Sequence, residues 1–121
     1  MDIKNCNICL HDKVVSAFHR NKNECKKCKS KKDAKRRAKT TLALFEYKGG
    51  RCEHCWVRNI AHLEIYEYHH KDPEAKLMNV GASIFVGKTA LYEEADKCLL
   101  LCANCHKIEH ARINTEKRNE N

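Results

Sequence analysis

The sequence predicts a small α+β fold held together by bound metal more than by a large apolar core. Three observations lead there. The chain has 121 residues, a third of them charged, and so short a chain buries little apolar surface without staples. Eight of its nine cysteines fall into four C-x-x-C pairs: Cys6 with Cys9, Cys25 with Cys28, Cys52 with Cys55, and Cys102 with Cys105. An alternating stretch at 63–68 and an apolar stretch at 98–101 precede a segment with His106 and His110 four residues apart. That order reads strand, strand, helix.

Paired cysteines without the apolar run of a signal peptide point to metal ligation in a reducing cytoplasm rather than to disulfides. No segment has the apolar length of a membrane span. The formal charge is +8, unevenly placed: residues 1–50 carry a net +9 and residues 51–121 a net −1. Two Zn²⁺ on eight thiolates would bring the whole to about +4 and leave the first half basic. A polyanion is the natural partner of such a half.

Residues 1–30 form the first module. Cys6-x-x-Cys9, fifteen residues, then Cys25-x-x-Cys28 matches a zinc template. Four thiolates leave no open position, so this zinc is expected to be structural. The apolar run 13–18 supplies one strand of a hairpin, with Val14 and Phe18 expected over the metal. Lys4, Lys13, Lys26, Lys27 and Lys29 surround the ligands, where they would temper the thiolate charge and could touch phosphate.

Residues 30–48 predict a helix, capped near Ser30 and Asp33 and built from good helix formers. Its first half is basic (Lys31, Lys32, Lys35, Arg36, Arg37, Lys39) and its second apolar (Leu42, Leu44, Phe45, Tyr47). The basic half reads either as a phosphate-facing surface or as a solvated linker. Gly49-Gly50 ends the helix. The expected division is therefore a zinc module at 1–30, a basic linker helix at 31–50 and a second domain at 51–121.

In that second domain, Cys52 and Cys55 complete a second four-thiolate site with Cys102 and Cys105. His54 and His62 lack ligand-like spacing and receive no role. Residues 63–68 predict a strand that delivers His69 and His70 at its end. Adjacent side chains in extended backbone face opposite ways, so one imidazole can meet a metal while the other meets a different target. After Pro73 the chain makes an excursion, extended at 76–80 and partly helical at 83–85 and 89–96. Cys98, without a partner, is expected as a buried small residue on the second strand. The polar residues 111–121 are expected to fray after one turn.

At this point EYHHKDP, followed by DKCLLLCANCHKIEH, resembles the HNH endonucleases, the ββα-metal nucleases, and the framing cysteine pairs resemble their zinc-containing branch. The resemblance covers residues 51–112. More loosely, the N-terminal module with its basic tail is similar to segments upstream of such domains in small phage proteins. It implies a ββα-metal core in which His69, His106 and His110 hold a catalytic divalent ion (Mg²⁺, Mn²⁺, Ni²⁺ or Zn²⁺). It implies His70 as the general base that activates water, leaving 5′-phosphate and 3′-hydroxyl ends on DNA.

The family's middle Asn, nine residues before the helix histidine, is Lys97 here. Lys97 is the second candidate catalytic residue. It could brace the base-carrying loop through backbone carbonyls, contact phosphate, or mark reduced activity. Asn104 is expected to cap the helix or satisfy its turn, and Asp72 either to bond the turn or to hold a ligand histidine. DNA contact is expected from Lys26, Lys27, Lys29, Lys31, Lys32, Lys35, Arg36, Arg37 and Lys39. One active site makes a nick, and double-strand cleavage would take a homodimer. The resemblance implies a bacterial or phage-infected cytoplasm. The competing expectation is a non-catalytic nucleic-acid-binding zinc protein on the same scaffold.

Overall fold

The computed structural model describes residues 2–120 and divides the chain into two compact units, Met1–Lys39 and Thr40–Asn121. Among the described residues there are two small two-stranded antiparallel sheets. A long helix, α1 (Lys26–Tyr47), begins in the first unit and ends in the second.

In the first unit, β1 (Ile3–Asn5) pairs with β2 (Asp12–Val14). The expected strand at 13–18 ends early, because residues 15–17 turn into a short 3₁₀ segment. Phe18 is buried against Cys6, Cys25 and Cys28, as a cover for the cluster should be, but Val14 stays exposed.

Helix α1 starts four residues before the sequence suggested. The Lys29 N–H already bonds the Cys25 carbonyl at 3.0 Å, so Cys28 rides on the first turn and Ser30 and Asp33 are interior. Asp33 instead pairs with Lys29 one turn back, at 3.0 Å. No glycine or proline interrupts the helix before Gly49. There the Gly50 N–H reaches the Phe45 carbonyl at 2.9 Å and the Gly49 N–H the Glu46 carbonyl at 3.0 Å. Gly49, at φ 104°, takes the left-handed backbone that this ending requires.

In the second unit, β3 (Tyr66–His70) pairs antiparallel with β4 (Cys98–Cys102), with Tyr66 opposite Cys102 and His70 opposite Cys98. The strand lies later than the alternation suggested: residues 63–65 form a 3₁₀ turn, and His69 and His70 are inside the ladder rather than beyond it. Between the strands, α2 (Lys88–Asp96) is the one α-helix; residues 83–85 are not helical, and 84 and 85 form a turn. From β4 the chain passes straight into α3 (Ala103–Asn119). The fraying expected after the first turn of 111–121 is not seen among the described residues, since α3 continues to Asn119; Asn121 lies outside them. Arg112 bridges Glu109 and Glu116 at i−3 and i+4 and ties the polar turns together.

Two apolar clusters hold this unit. One joins Phe45, Tyr66, Leu100 and Leu101 to Cys52, Cys102 and Cys105, with the Phe45 and Tyr66 rings 4.7 Å apart. The other joins Leu44, Val80, Ile84, Leu91 and Ala95 to Cys98, so the unpaired cysteine is a core residue. The apolar end of α1 thus contributes one side chain to each cluster. Among the described residues, no helix is long and apolar enough to cross a membrane.

Candidate metal centres and their histidine neighbours

The four C-x-x-C pairs collapse into two four-cysteine clusters, Cys6/Cys9/Cys25/Cys28 and Cys52/Cys55/Cys102/Cys105, with the sulfurs of each within 4.8 Å of one another. All nine cysteines are free thiols. A tetrahedron with 2.3 Å zinc–sulfur bonds has edges of about 3.8 Å. The Cys6–Cys28, Cys9–Cys25 and Cys55–Cys102 sulfurs stand 3.8, 4.0 and 3.7 Å apart. The donor set and its spacing fit zinc, and both clusters could hold a structural ion.

The knuckles share one local geometry. Backbone N–H groups turn on the first sulfur: Ile8 and Cys9 donate to Cys6, and Cys55 donates to Cys52. The residue after the second cysteine closes the turn, as the Leu10 N–H meets the Cys6 carbonyl and the Trp56 N–H the Cys52 carbonyl. Both closing residues adopt positive φ, 63° for Leu10 and 70° for Trp56, a region costly for large side chains. Burial alone would push the Cys6 and Cys52 thiols up, but the N–H groups outweigh it and bring them down to about 5 and about 6. Their neighbours Cys28 and Cys105 are pushed up to about 12, Cys28 chiefly by its hydrogen bond with Cys25 and Cys105 by burial. Each cluster therefore offers a ready thiolate, and a cation at its centre would favour ionisation of Cys28 and Cys105. In the first unit Lys13 donates to the Cys25 sulfur at 3.2 Å.

The second cluster is anchored to the sheet by a residue without a sequence signal. Glu53, inside the knuckle, uses its backbone N–H on the Leu100 carbonyl at 2.9 Å and accepts the Leu100 N–H on its carboxylate at 2.5 Å. It thereby occupies the free edge of β4. At the far end, the Cys102 sulfur caps α3 by accepting from the Cys105 N–H at 3.5 Å. Asn104, the expected cap, lies within the first turn instead.

A third cluster consists of His69 from β3 and His106 and His110 from α3, with ligand nitrogens within 4.8 Å of one another. The Nε2 atoms of His106 and His110 are 3.0 Å apart, and the His69 ring lies 5.3 and 5.2 Å from theirs. His69 is buried, His106 half-buried and His110 exposed, so the group opens to solvent on the helix side. Burial, then the neighbouring imidazoles, push His69 below the usual histidine range, which keeps a lone pair for a cation. Glu67 accepts from Nδ1 of His106, leaving Nε2 to face the cluster in the manner of a carboxylate–histidine–metal arrangement. Three nitrogen donors with an open side fit a transition metal or zinc with coordination to spare.

His70, on the opposite face of β3 from His69, is not part of that group. Its Nε2 lies 2.8 Å from Oε1 of Glu94, and both side chains are buried. The same oxygen accepts the Leu77 and Met78 N–H groups, at 2.9 and 3.4 Å. Lys97 donates to the other oxygen at 2.9 Å and to the Ala75 carbonyl at 3.0 Å. Lys97 thus donates to one backbone carbonyl and one carboxylate. Lys97 above all, then the backbone N–H groups and His70, bring the Glu94 carboxyl down to about 2. Asp72 accepts from the Glu74 N–H at 3.0 Å, so it serves the turn. His62 pairs with Glu64 on the surface.

The basic residues of α1 are exposed except for Lys29, which is half-buried. Lys29 and Lys32 are tied to Asp33 and Glu24. Lys31, Lys35 and Lys39 recur every four residues, a stripe about 12 Å long on one helix face. The chain matches no family model, no curated protein and no solved structure.

Proposed function

We propose that the chain is a metal-dependent DNA endonuclease of the ββα-metal type, with two structural zinc sites and one catalytic metal site. The observation that carries this reading is the convergence of His69 with His106 and His110, which follow it by 37 and 41 residues in sequence. A structural zinc has no use for a third, solvent-open imidazole group in a chain that already holds two closed thiolate clusters.

His69, His106 and His110 would hold the ion, and Glu67 would orient His106. When bound, a divalent ion supplies positive charge against the scissile phosphate and the departing oxygen. His70 accepts a proton from water on its free nitrogen as the water oxygen bonds to phosphorus. The phosphorus–O3′ bond breaks, and the 3′ oxygen takes a proton from solvent, giving 5′-phosphate and 3′-hydroxyl ends. Lys26, Lys27, Lys31, Lys35, Arg36, Arg37 and Lys39 bind DNA through phosphate, which gives affinity without sequence choice. Lys29 and Lys32, which also pair with Asp33 and Glu24, add to the same basic surface.

The second reading is a nucleic-acid-binding zinc protein without catalysis. It is favoured by the burial of His70 and the engagement of its Nε2 with Glu94. Nicking of supercoiled plasmid by the purified protein, with Mg²⁺, Mn²⁺, Ni²⁺ or EDTA and beside His70→Ala, separates the two. Metal-dependent nicking that His70→Ala abolishes at unchanged zinc content supports the endonuclease. DNA binding with two zincs and no cleavage under any metal leaves the binding protein.

A further inference from the structure

We infer that Glu94, clamped by Lys97, is the positioning residue for His70: it holds the hydrogen on Nε2 and presents Nδ1 as the nitrogen that takes the proton from water. This rests on the endonuclease reading, and it concerns a carboxylate that no sequence motif singles out.

The geometry is specific about direction. Oε1 of Glu94 is 2.8 Å from His70 Nε2, and the other hydrogen-bond partners of the carboxylate are all donors: the Leu77 and Met78 N–H groups and the Lys97 ammonium. A carboxyl so surrounded is ionised and acceptor-only. The hydrogen between Glu94 and His70 therefore sits on Nε2, which in the neutral form of the ring leaves the lone pair on Nδ1. Glu94 is 1 % exposed, so this carboxylate has no solvent-facing task to explain its burial.

The clamp also sets position. Lys97 joins α2 to the excursion through Glu94 and the Ala75 carbonyl, and its own carbonyl accepts the Lys71 N–H at 3.1 Å. Lys71, next to His70 in the chain, and Ala75, Leu77 and Met78 in the excursion are thus each tied to Glu94 or Lys97. Lys97 acts on His70 only through Glu94 and this backbone. When Nδ1 takes the proton, the ring becomes an imidazolium facing a carboxylate, as in triads where a buried acid orients a histidine base.

The test combines nitrogen-15 NMR of the zinc-loaded full chain with cleavage kinetics of Glu94→Gln, Lys97→Met, His70→Ala and the double variant. Expected in the wild type is a slowly exchanging, downfield Nε2–H proton on His70, moved upfield in Glu94→Gln. Glu94→Gln should lower kcat on the order of 10²- to 10⁴-fold with KM for DNA little changed. It should cost nothing further in the His70→Ala background, because it acts through His70. A wild-type proton on Nδ1, an unchanged kcat in Glu94→Gln, or a further loss in the double variant overturns the inference. If Glu94→Gln fails to retain two zincs, Lys97→Met decides. A fall in kcat of about tenfold with a weakened Nε2–H signal supports the clamp, and wild-type values for both overturn it. A wild type that cuts no DNA under any metal overturns the endonuclease reading and the catalytic meaning of the pair; the NMR signal then tells that failure from a wrong hydrogen-bond assignment.

Discussion

The smallest decisive features are single side chains placed against a sulfur or in a strained backbone. Leu10 closes the first knuckle at φ 63° while 71 % exposed, so it bears conformational cost and gains little from burial. Replacing it with glycine should stabilise the zinc-loaded first unit by up to about 1 kcal/mol, since the left-handed penalty exceeds the extra backbone entropy of glycine. Thermal melting of the loaded protein checks this. Lys13, whose ammonium sits 3.2 Å from the Cys25 sulfur, is held above its ordinary range by that bond. Lys13→Met should speed zinc transfer from the first cluster to a chelator and leave the second cluster unaffected, as a two-phase dye-competition assay would show. Glu67 is within reach of sequence reasoning, because it stands two residues before His69 on an alternating strand and so shares its face. Glu94 is not: it reaches His70 across 24 residues, and a glutamate near a helix end looks like any solvated charge.

At the level of elements, the strand pair and α3 carry the second unit. Leu101 is fully buried on β4 between Phe45 and the cysteine cluster. Leu101→Ala should destabilise that unit by about 2–5 kcal/mol, measured by chemical denaturation of the zinc-loaded protein. Composition does not reveal the extent of α3, because residues 111–120 are mostly polar and mark no buried face. Their helix is held by the Arg112 pairs with Glu109 and Glu116, a spacing visible in the sequence once helicity is assumed. Helix α1 is legible except at its start, where the requirement of Cys28 for the first cluster overrides the capping preference of Ser30. On its exposed face, replacing Lys31, Lys35 and Lys39 with glutamine should flatten the salt dependence of DNA binding. Removing one lysine–phosphate pair lowers the log–log slope by about 0.9, which a titration of affinity against salt would reveal; an unchanged slope would mean that the stripe is only solvated.

For the whole molecule, metal occupancy is the readout. The two four-cysteine clusters should retain two slowly exchanging ions, while the histidine group, with His110 exposed, should exchange its ion freely. Native mass spectrometry should find a third ion that a mild chelator removes and that His106→Ala abolishes, with the first two undisturbed. A strong chelator that strips the thiolate sites should unfold the chain, because so small a protein depends on its staples. Loss of far-UV circular dichroism would register it.

The sequence by itself determined the chemistry of the ligands and their partition. C-x-x-C and His-x-x-x-His spacings act over one turn of backbone, and the two cysteine clusters and the histidine group contain the residues those spacings name. The α+β character and the order of strand, strand and helix were likewise local in origin. Only the tertiary structure decided where each carboxylate went. Glu53 closes the edge of β4, Glu67 braces His106, and Glu94 with Lys97 holds His70. Strand alternation places only Glu67, on the face of His69; the roles of Glu53 and Glu94 arise from long-range pairing that no periodicity encodes, and they decide how the candidate site is set.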